Sequence, residues 1–571
     1  MKKYINRICC LIALLAPLVY TAPSQAATSA SQLQSCGCDH TISTYNWVVD
    51  GNTLGTQPGD TICLDASVSY ANMTWRNIHG TQADPIVVKN YGGQAYINSY
   101  NSGTPNIGYG WRFKNSSFFK ITGNGDAQHE YGIKVSTPGG FYISMESFTT
   151  NFEISNVEVA GISPVTPTST RNGFAGIGIK TKPYCDGSAD RGTWTMNDVK
   201  VHDNYIHDVG GEGLYIGYGF YDGRVEHNCG AMRVPHAIRG LRVFNNKVED
   251  VGYDGIQVKN ADTDVEIYSN FIARYGLREN GNHDEGMLIG DGTEALIYNN
   301  WIDNGPGVKK GNGMQINAFG NTKIFNNVVV NLGQDATQNL YNKRDSIYIN
   351  NNSPAFSNDK QGTFKVYNNT FIGAQNRGIE AYTPQHLEIK NNIFTGYVQA
   401  SNFGFLASLT NASNIFNPDA TALNFVDVAN HDFHLQQNSP AVGAGVDTQL
   451  TFDHDDLLRV DNNFDIGAYE EGGVAPGTIP TLAITTPASI LHTTRRAIFV
   501  EVELTDPANT VDKVQYILNG RLIGTDKLPR KTEHWIGGQR FNVGSNDFYA
   551  IALDASGQTI ARSPSIDIIV N

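Results

Sequence analysis

The sequence predicts an all-β protein: a right-handed parallel β-helix solenoid followed by a small β-sandwich. Three observations predict it. The first is a repeat. Seven segments share one form, a short β-type run, a polar pair and a second β-type run: VKVHDNYIHDV, LRVFNNKVEDV, VEIYSNFIARY, ALIYNNWIDNG, TKIFNNVVVNL, FKVYNNTFIGA and LEIKNNIFTGY. The second residue of each pair is Asn204, Asn246, Asn270, Asn300, Asn327, Asn369 and Asn392, at spacings of 42, 24, 30, 27, 42 and 23 residues. The second observation is a strand motif locked to each repeat: Glu212-GLYIG, Asp254-GIQVK, Glu285-GMLIG, Asn312-GMQIN, Asp345-SIYIN and Arg377-GIEAY. The third is a change of pattern after a Gly/Pro-rich stretch, where longer alternating runs begin.

The elements follow in chain order. Residues 1–26 read as a secretory signal peptide: Met1-Lys2-Lys3 and Arg7, an apolar run from Ile8 to Tyr20, then small residues up to Ala26. The apolar run is too short to span a bilayer. The expected mature chain is secreted, with cleavage near Ala26 and no membrane span. Residues 27–471 are the expected β-helix, with faint early coils in GDTICL, PIVVKNYGGQ, FFKITGNG, YGIKVS and FEISNVEV.

Alternation puts Leu214/Ile216, Ile256/Val258, Met287/Ile289, Met314/Ile316 and Ile347/Ile349 inward. Three short strands cannot bury a core alone; stacked coils bury a continuous one. The Asn column suits tight turns, since Asn tolerates the left-handed region, and its amides can hydrogen-bond up the stack. The two 42-residue spacings carry extra loops, about 218–238 and 333–343, expected to stand off the solenoid and line the binding face. DFHLQQNSPAVGAG and DHDDLLRVDNNFDIGAYEE would close the helix, with Asp453, Asp455, Asp456 and Asp461 as turn residues. Residues 472–480 are a linker by composition, and 481–571 the sandwich.

Composition narrows the partners. There are 41 Lys and Arg against 55 Asp and Glu, a net charge of −14. Nucleic acid is disfavoured, because its affinity comes from Lys and Arg neutralising phosphates. An acidic glycan is not excluded, since a local basic cleft can exist on an acidic protein. After cleavage five cysteines remain: Cys36, Cys38, Cys63, Cys185 and Cys229. Export permits disulfides, and Cys36 or Cys38 is expected to pair with Cys63. A monomer is expected.

In these repeats residues 40–470 resemble the pectate-lyase-like β-helix superfamily, which implies the fold and a polysaccharide substrate. The C-terminal part resembles bacterial immunoglobulin-like modules, most closely in VQYILNGRLIGTD. A sharper resemblance is to family 9 polysaccharide lyases. Their three runs correspond to Asp254-Gly255-Ile256-Gln257-Val258-Lys259, to Asn282-His283-Asp284-Glu285-Gly286-Met287-Leu288, and to Gly311-Asn312-Gly313-Met314-Gln315-Ile316. That resemblance implies Ca²⁺ held by Asp254, Asp284 and Glu285. Leu288 stands where that family has a calcium ligand, and Gln315 where it has its base Lys.

The chemistry of a lyase needs a base for the proton α to a uronate carboxylate and a cation to neutralise that carboxylate. Lys259 turns outward if Ile256 and Val258 turn in, and lies one coil from His283. Either is a candidate base. The plainer readings are a solvated strand-end lysine and a loop histidine bonded to its neighbours. Tyr215, Gln257, Gln315, Arg344 and Tyr348 are the expected substrate-binding residues of the outward groove. The expected function is therefore β-elimination on an acidic, uronate-containing polysaccharide. Two alternatives stand beside it. One is a glycoside hydrolase or epimerase using Asp254 and Glu285, whose carboxyls must lie about 5 Å apart for retention. The other is a non-catalytic glycan-binding or adhesin-type surface protein.

Overall fold

The computed structural model describes residues 37–102, 108–162, 173–226, 229–280, 283–305, 311–330, 345–351, 362–374, 376–459, 463–475, 480–487, 491–494, 497–506, 511–527, 532–555, 557 and 559–570. The expected signal peptide, Cys36 and the 333–343 loop fall outside them. Contacts divide the chain into two compact units, Met1–Ala422 and Leu423–Asn571. Among the described residues no helix is long and apolar enough to cross a membrane.

The first unit is a right-handed parallel β-helix with three columns of strands. The first column runs from Val48–Asp50 through Leu214–Gly217, Ile256–Val258, Met287–Ile289 and Met314–Ile316 to Ile347–Asn350. The second runs from His40–Ile42 through Ala237–Phe244 and Ala261–Tyr268 to Thr363–Tyr367. The third runs from Ala95–Asn98 through Lys247–Glu249 and Phe271–Ala273 to Ile415–Asn417. Every coil-to-coil pairing in these columns is parallel, as in Leu214↔Ile256↔Met287↔Met314↔Ile347. In the last coils the first two columns merge into the 14-residue strands Arg377–Lys390 and Gln399–Ala412.

The sequence repeat is the corner between the second and third columns, and the locked motif is the first column. All ten residues expected inward in that motif are fully buried. They belong to one core that also holds Trp75, Trp111, Phe113 and Phe371. The Asn column stacks as expected. Each amide nitrogen donates to the next amide oxygen, Asn204 to Asn246 at 3.0 Å, Asn246 to Asn270 at 3.0 Å, Asn270 to Asn300 at 2.9 Å and Asn300 to Asn327 at 2.9 Å. The ladder continues through Asn369 and Asn392 to one further rung, Asn414.

The turn geometry differs from expectation in one respect. The left-handed residue is the one before each ladder Asn: Asp203, Asn245, Ser269, Asn299, Asn326, Asn368, Asn391 and Ser413 have φ between 49° and 55°. The split has a physical reason. The first residue of the pair makes the bend, which frees the second to send its side chain inward, where its amide also caps strand carbonyls such as Val201 O and Val243 O.

The 218–238 segment forms a small antiparallel hairpin, Arg224–Val225 with Met232–Arg233, and a Cys185–Cys229 disulfide ties it to the loop after Ala175–Lys180. The N-terminal coils carry the expected pairing in its Cys38–Cys63 form.

The second unit contains the closing segment and the β-sandwich. In the closing segment Arg459 and Glu470 form a buried ion pair at 2.5 Å. Asp453 accepts from the backbone N–H of Asp455 and Leu457, the turn role expected for it. The sandwich packs Thr481–Thr486, Ile498–Thr505 and Glu533–Ile536 against a second sheet built on Lys513–Leu518 and Gly544–Leu553. Its core is Val500, Val502, Val514, Tyr516, Phe548 and Ala550.

Candidate functional site

The first column places the site. Its outward positions, read coil by coil, are Gly178, Tyr215, Gln257, Leu288, Gln315, Tyr348 and Glu380. Four of the five expected substrate-binding residues, Tyr215, Gln257, Gln315 and Tyr348, therefore share one row. Arg344 lies outside the described residues. Leu288 interrupts the polar row between Gln257 and Gln315. Tyr348 accepts from Asn350 Nδ2 at 2.8 Å. Burial and then the charge of Glu212 push the Tyr215 hydroxyl up to about 12.

Two residues before each inward Leu214, Ile256, Met287, Met314 and Ile347 stands Glu212, Asp254, Glu285, Asn312 and Asp345. A period of two puts residue n−2 on the same side as residue n. That rule holds within a strand, and these residues stand just before theirs; Glu212, Asp254 and Glu285 are each 0% exposed. The Gly that follows is forced by coil spacing: a Cβ at Gly255 would lie 2.4 Å from Ile272 Cγ2 and 2.5 Å from Gly286 O. Along this row the side chain of one coil accepts from the backbone of the next. Asp254 Oδ1 takes Glu285 N–H at 3.0 Å, Asn312 Oδ1 takes Asp345 N–H at 3.0 Å, and Asp345 Oδ1 takes Arg377 N–H at 3.0 Å.

At Glu212 and Asp254 the row becomes more than a turn ladder. The loop between Phe271–Ala273 and Met287–Ile289 lays His283 over it. His283 Nδ1 is 3.6 Å from Glu212 Oε1 and 3.7 Å from Asp254 Oδ2. The His283 side chain is 36% exposed, while both carboxyls beneath it have no solvent contact. Among the described residues neither Glu212 oxygen has a hydrogen-bond partner, and nor does Asp254 Oδ2. Burial and then the nearby Asp254 push Glu212 up to about 8. Burial pushes Asp254 up to about 7, against the pull of His283. The Asp254 carboxyl 3.7 Å away raises His283, more than burial lowers it. The physical content is a shared proton: two carboxylates this close in a dry corner ionise together only beside a cation.

A divalent cation is one way to supply that charge. Donor atoms of Glu212, Asp254 and His283 lie within 4.8 Å of one another. This differs from the expected set of Asp254, Asp284 and Glu285. Asp254 is common to both. Asp284 and Glu285 are buried next door, but Glu285 Oε2 is taken up by the Asp284 N–H at 2.9 Å. The converged set does not fit calcium, which takes six to eight oxygens. One imidazole with carboxylates fits a borderline ion such as zinc or manganese. The Asp254 and Glu285 carboxyls of the hydrolase alternative are both fully buried.

Lys259 follows the outward row at the strand end. Its methylenes cross the next coil, where a Cβ at Gly290 would lie 2.5 Å from Lys259 Cγ and 2.6 Å from Cε. Its charge reaches Glu212, His283 and Asp291.

Sequence reasoning missed the surroundings of His283. Rings run from it toward the N-terminal coils: His283 to Tyr253 at 5.6 Å, Tyr253 to Phe174 at 6.1 Å, Phe174 to Tyr215 at 6.3 Å, and Tyr215 to Phe141 at 5.8 Å. The signal available was the register, since Phe141 and Phe174 open the two strands before LYIG.

A family model for a bacterial Ig domain matches residues 480–559. No curated protein matches the chain. Among solved structures, the crystal structure of pectate lyase Pel9A is 14% identical, covering 76% of this chain and 98% of that one, with a TM-score of 0.37. The alginate lyase from Paenibacillus sp. str. FPU-7 is 13% identical, covering 64% of this chain and 99% of that one, with a TM-score of 0.34. The fibronectin(III)-like modules of Clostridium thermocellum CbhA are 18% identical, covering 16% and 95%, with a TM-score of 0.13. The chain's own strands make the parallel β-helix, and its C-terminal part matches a bacterial Ig domain.

Proposed function

We propose that this protein is an exported polysaccharide lyase that cleaves a uronate-containing glycan by β-elimination, with His283 as the proton acceptor. One observation carries the reading: a half-exposed imidazole whose Nδ1 faces two solvent-free carboxyls at 3.6 and 3.7 Å. Carboxylates behind an imidazole fix its tautomer and stabilise the imidazolium it becomes. In the step, the proton on the carbon α to the uronate carboxylate passes to His283. The electron pair left behind forms the new double bond, and the bond from the β carbon to the glycosidic oxygen breaks. The departing oxygen takes a proton from water. Lys259, on the same face, supplies positive charge to the substrate carboxylate, which acidifies the α proton. Tyr215, Gln257 and Gln315 line the row along which the chain would lie. Two disulfides are consistent with export to an oxidising compartment.

A second reading of the same site is favoured by the two unbonded oxygens of Glu212. A borderline divalent cation held by Glu212, Asp254 and His283 would supply the neutralising charge. His283 is then a ligand and Lys259 the base. Calcium at Asp254, Asp284 and Glu285 is not proposed.

The test is incubation of the purified protein with polygalacturonate, alginate and sulfated glycans, with and without chelator. Ultraviolet absorbance of an unsaturated product supports elimination. New reducing ends without that absorbance mean hydrolysis, and no cleavage of any of them overturns the enzyme reading. Elemental analysis of the purified protein separates the two forms of the site.

A further inference from the structure

On a chain of net charge −14, the coils before the site gather an excess of cations. Lys114, Lys180, Lys182 and Arg224 line a cleft of about 540 Å³ with Glu146 and Glu226. Arg112 stands behind Glu146 at 3.6 Å. Five cations therefore face two carboxylates. Glu146 engages Lys180 at 3.0 Å and Lys114 at 3.7 Å, while Glu226 engages Arg224 at 3.1 Å and Lys182 at 3.9 Å. After those pairings a positive surplus remains, and two of its members stay well exposed, Lys182 at 58% and Arg224 at 40%.

The cleft belongs to the same face of the helix as His283. Lys180 pairs with Gly217 in register, and Gly217, which has no side chain, lies against Lys259 one coil on. Two coils at about 4.8 Å separate Lys180 from Lys259, about 10 Å. Between the cleft and His283 lies the aromatic surface. The Phe141 ring crosses Gly178, where a Cβ would meet it at 2.2 Å, and Lys180 Nζ sits 3.9 Å from that ring. Phe174 is 39% exposed. One wall of the cleft is fixed covalently, since Cys185–Cys229 ties down the hairpin that carries Arg224.

We propose that this cleft and aromatic surface form a distal subsite for an acidic sugar chain. Carboxylate or sulfate groups enter among Lys114, Lys180, Lys182 and Arg224, and a pyranose face lies on Phe174. The subsite holds a part of the polymer that is not cut and delivers the rest to His283. This deepens the lyase reading and rests on it for the direction of the chain. Binding itself does not depend on turnover.

The test uses the full chain in affinity electrophoresis through gels containing polygalacturonate, dextran sulfate or uncharged dextran. The wild type is expected to be retarded by at least one polyanion and not by dextran. The double variant Lys182→Gln/Arg224→Gln is expected to bind that polyanion about tenfold more weakly, from two exposed charge contacts. Lys182→Arg/Arg224→Lys should restore binding, and thermal unfolding checks the fold of each. Equal retardation of wild type and the Gln variant overturns the subsite, as does retardation by dextran alone or by none of the three. Polyanion binding that is lost in the Gln variant, with no cleavage product from any glycan, supports the subsite and removes the lyase reading.

Discussion

Glu212→Gln tests the central physical claim, that the corner beneath His283 holds uncompensated acid. The Glu212 carboxyl is pushed from an ordinary 4.5 up to about 8, by burial first and by Asp254 second. A raised value means that the folded state binds this proton more tightly than the unfolded chain. The stabilisation is complete below about pH 4.5 and is lost as the pH rises to about 8. At about 1.36 kcal/mol per pH unit the whole loss is about 5 kcal/mol. Asp254, beside it, is pushed from 3.8 up to about 7, by burial first, and carries its own part of the pH dependence. Replacing Glu212 alone should therefore remove roughly half of the pH dependence, about 2–3 kcal/mol. Gln keeps the size and shape but cannot ionise. The assay is urea unfolding of both proteins in chelator, at about pH 5 and about pH 8. The variant should gain on the wild type by about 2–3 kcal/mol between the two. A difference that stays the same at both pH values would refute the account of this corner.

Three further outcomes are expected. His283→Gln should lower turnover by about 10²–10⁴, the usual range for a lost general base, while Lys259→Ala should act mainly on KM unless a bound cation makes Lys259 the base. Asn300→Ala, in mid-ladder, removes the acceptor of the Asn270 backbone N–H, the ladder bonds on either side and the amide that caps Ile267 O, and should destabilise the helix by roughly 2–4 kcal/mol, more than Asn414→Ala at the last rung. Breaking Cys185–Cys229, which spans 44 residues and encloses coils of the helix, should lower the stability of the helix body by up to about 4 kcal/mol and speed proteolytic cutting in the 218–238 loop.

The solenoid was legible because its signals are local and repeated. The inward pairs and the Asn column each recur once per coil, so register errors cancel. The turn residue was misread by one position because either member of an Asn-Asn pair can take the left-handed region, and only the stacking of the second inside the coil separates them. The burial of the acidic row was not legible, because Glu212, Asp254 and Glu285 stand just before their strands, where alternation does not reach. The His283 contact depends on the path of a loop after Ala273, which no periodicity encodes. The basic cleft was illegible for a related reason. Lys114 and Lys180 come from faint early coils that stack through Glu146, and Arg224 joins them on a hairpin tied by a disulfide between residues 44 apart.

A raised carboxyl does not by itself mark the site. Asp345 sits in the same row and is also pushed up to about 8, by burial and then by Glu380. Its surroundings are different. Asp345 Oδ1 accepts from Asn376 Nδ2 at 2.8 Å and from Arg377 N–H at 3.0 Å. Asn312, one coil earlier, does the same ladder work with an amide. The ladder therefore asks only for an oxygen at this position. Asp254 satisfies it with Oδ1 and keeps Oδ2 for His283. The pair Asp345→Asn and Asp254→Asn separates the two roles, because either amide can still accept the next coil's N–H. Asp345→Asn should leave stability and activity close to wild type. Asp254→Asn should fold as well but lose the charge behind His283, with a fall in turnover approaching about 10⁴, as when an orienting carboxylate is made an amide. The comparison is read on the glycan that the wild type cleaves, with unfolding curves for both variants. Equal activity of the two would mean that the acidic row is turn structure throughout and that His283 works without it.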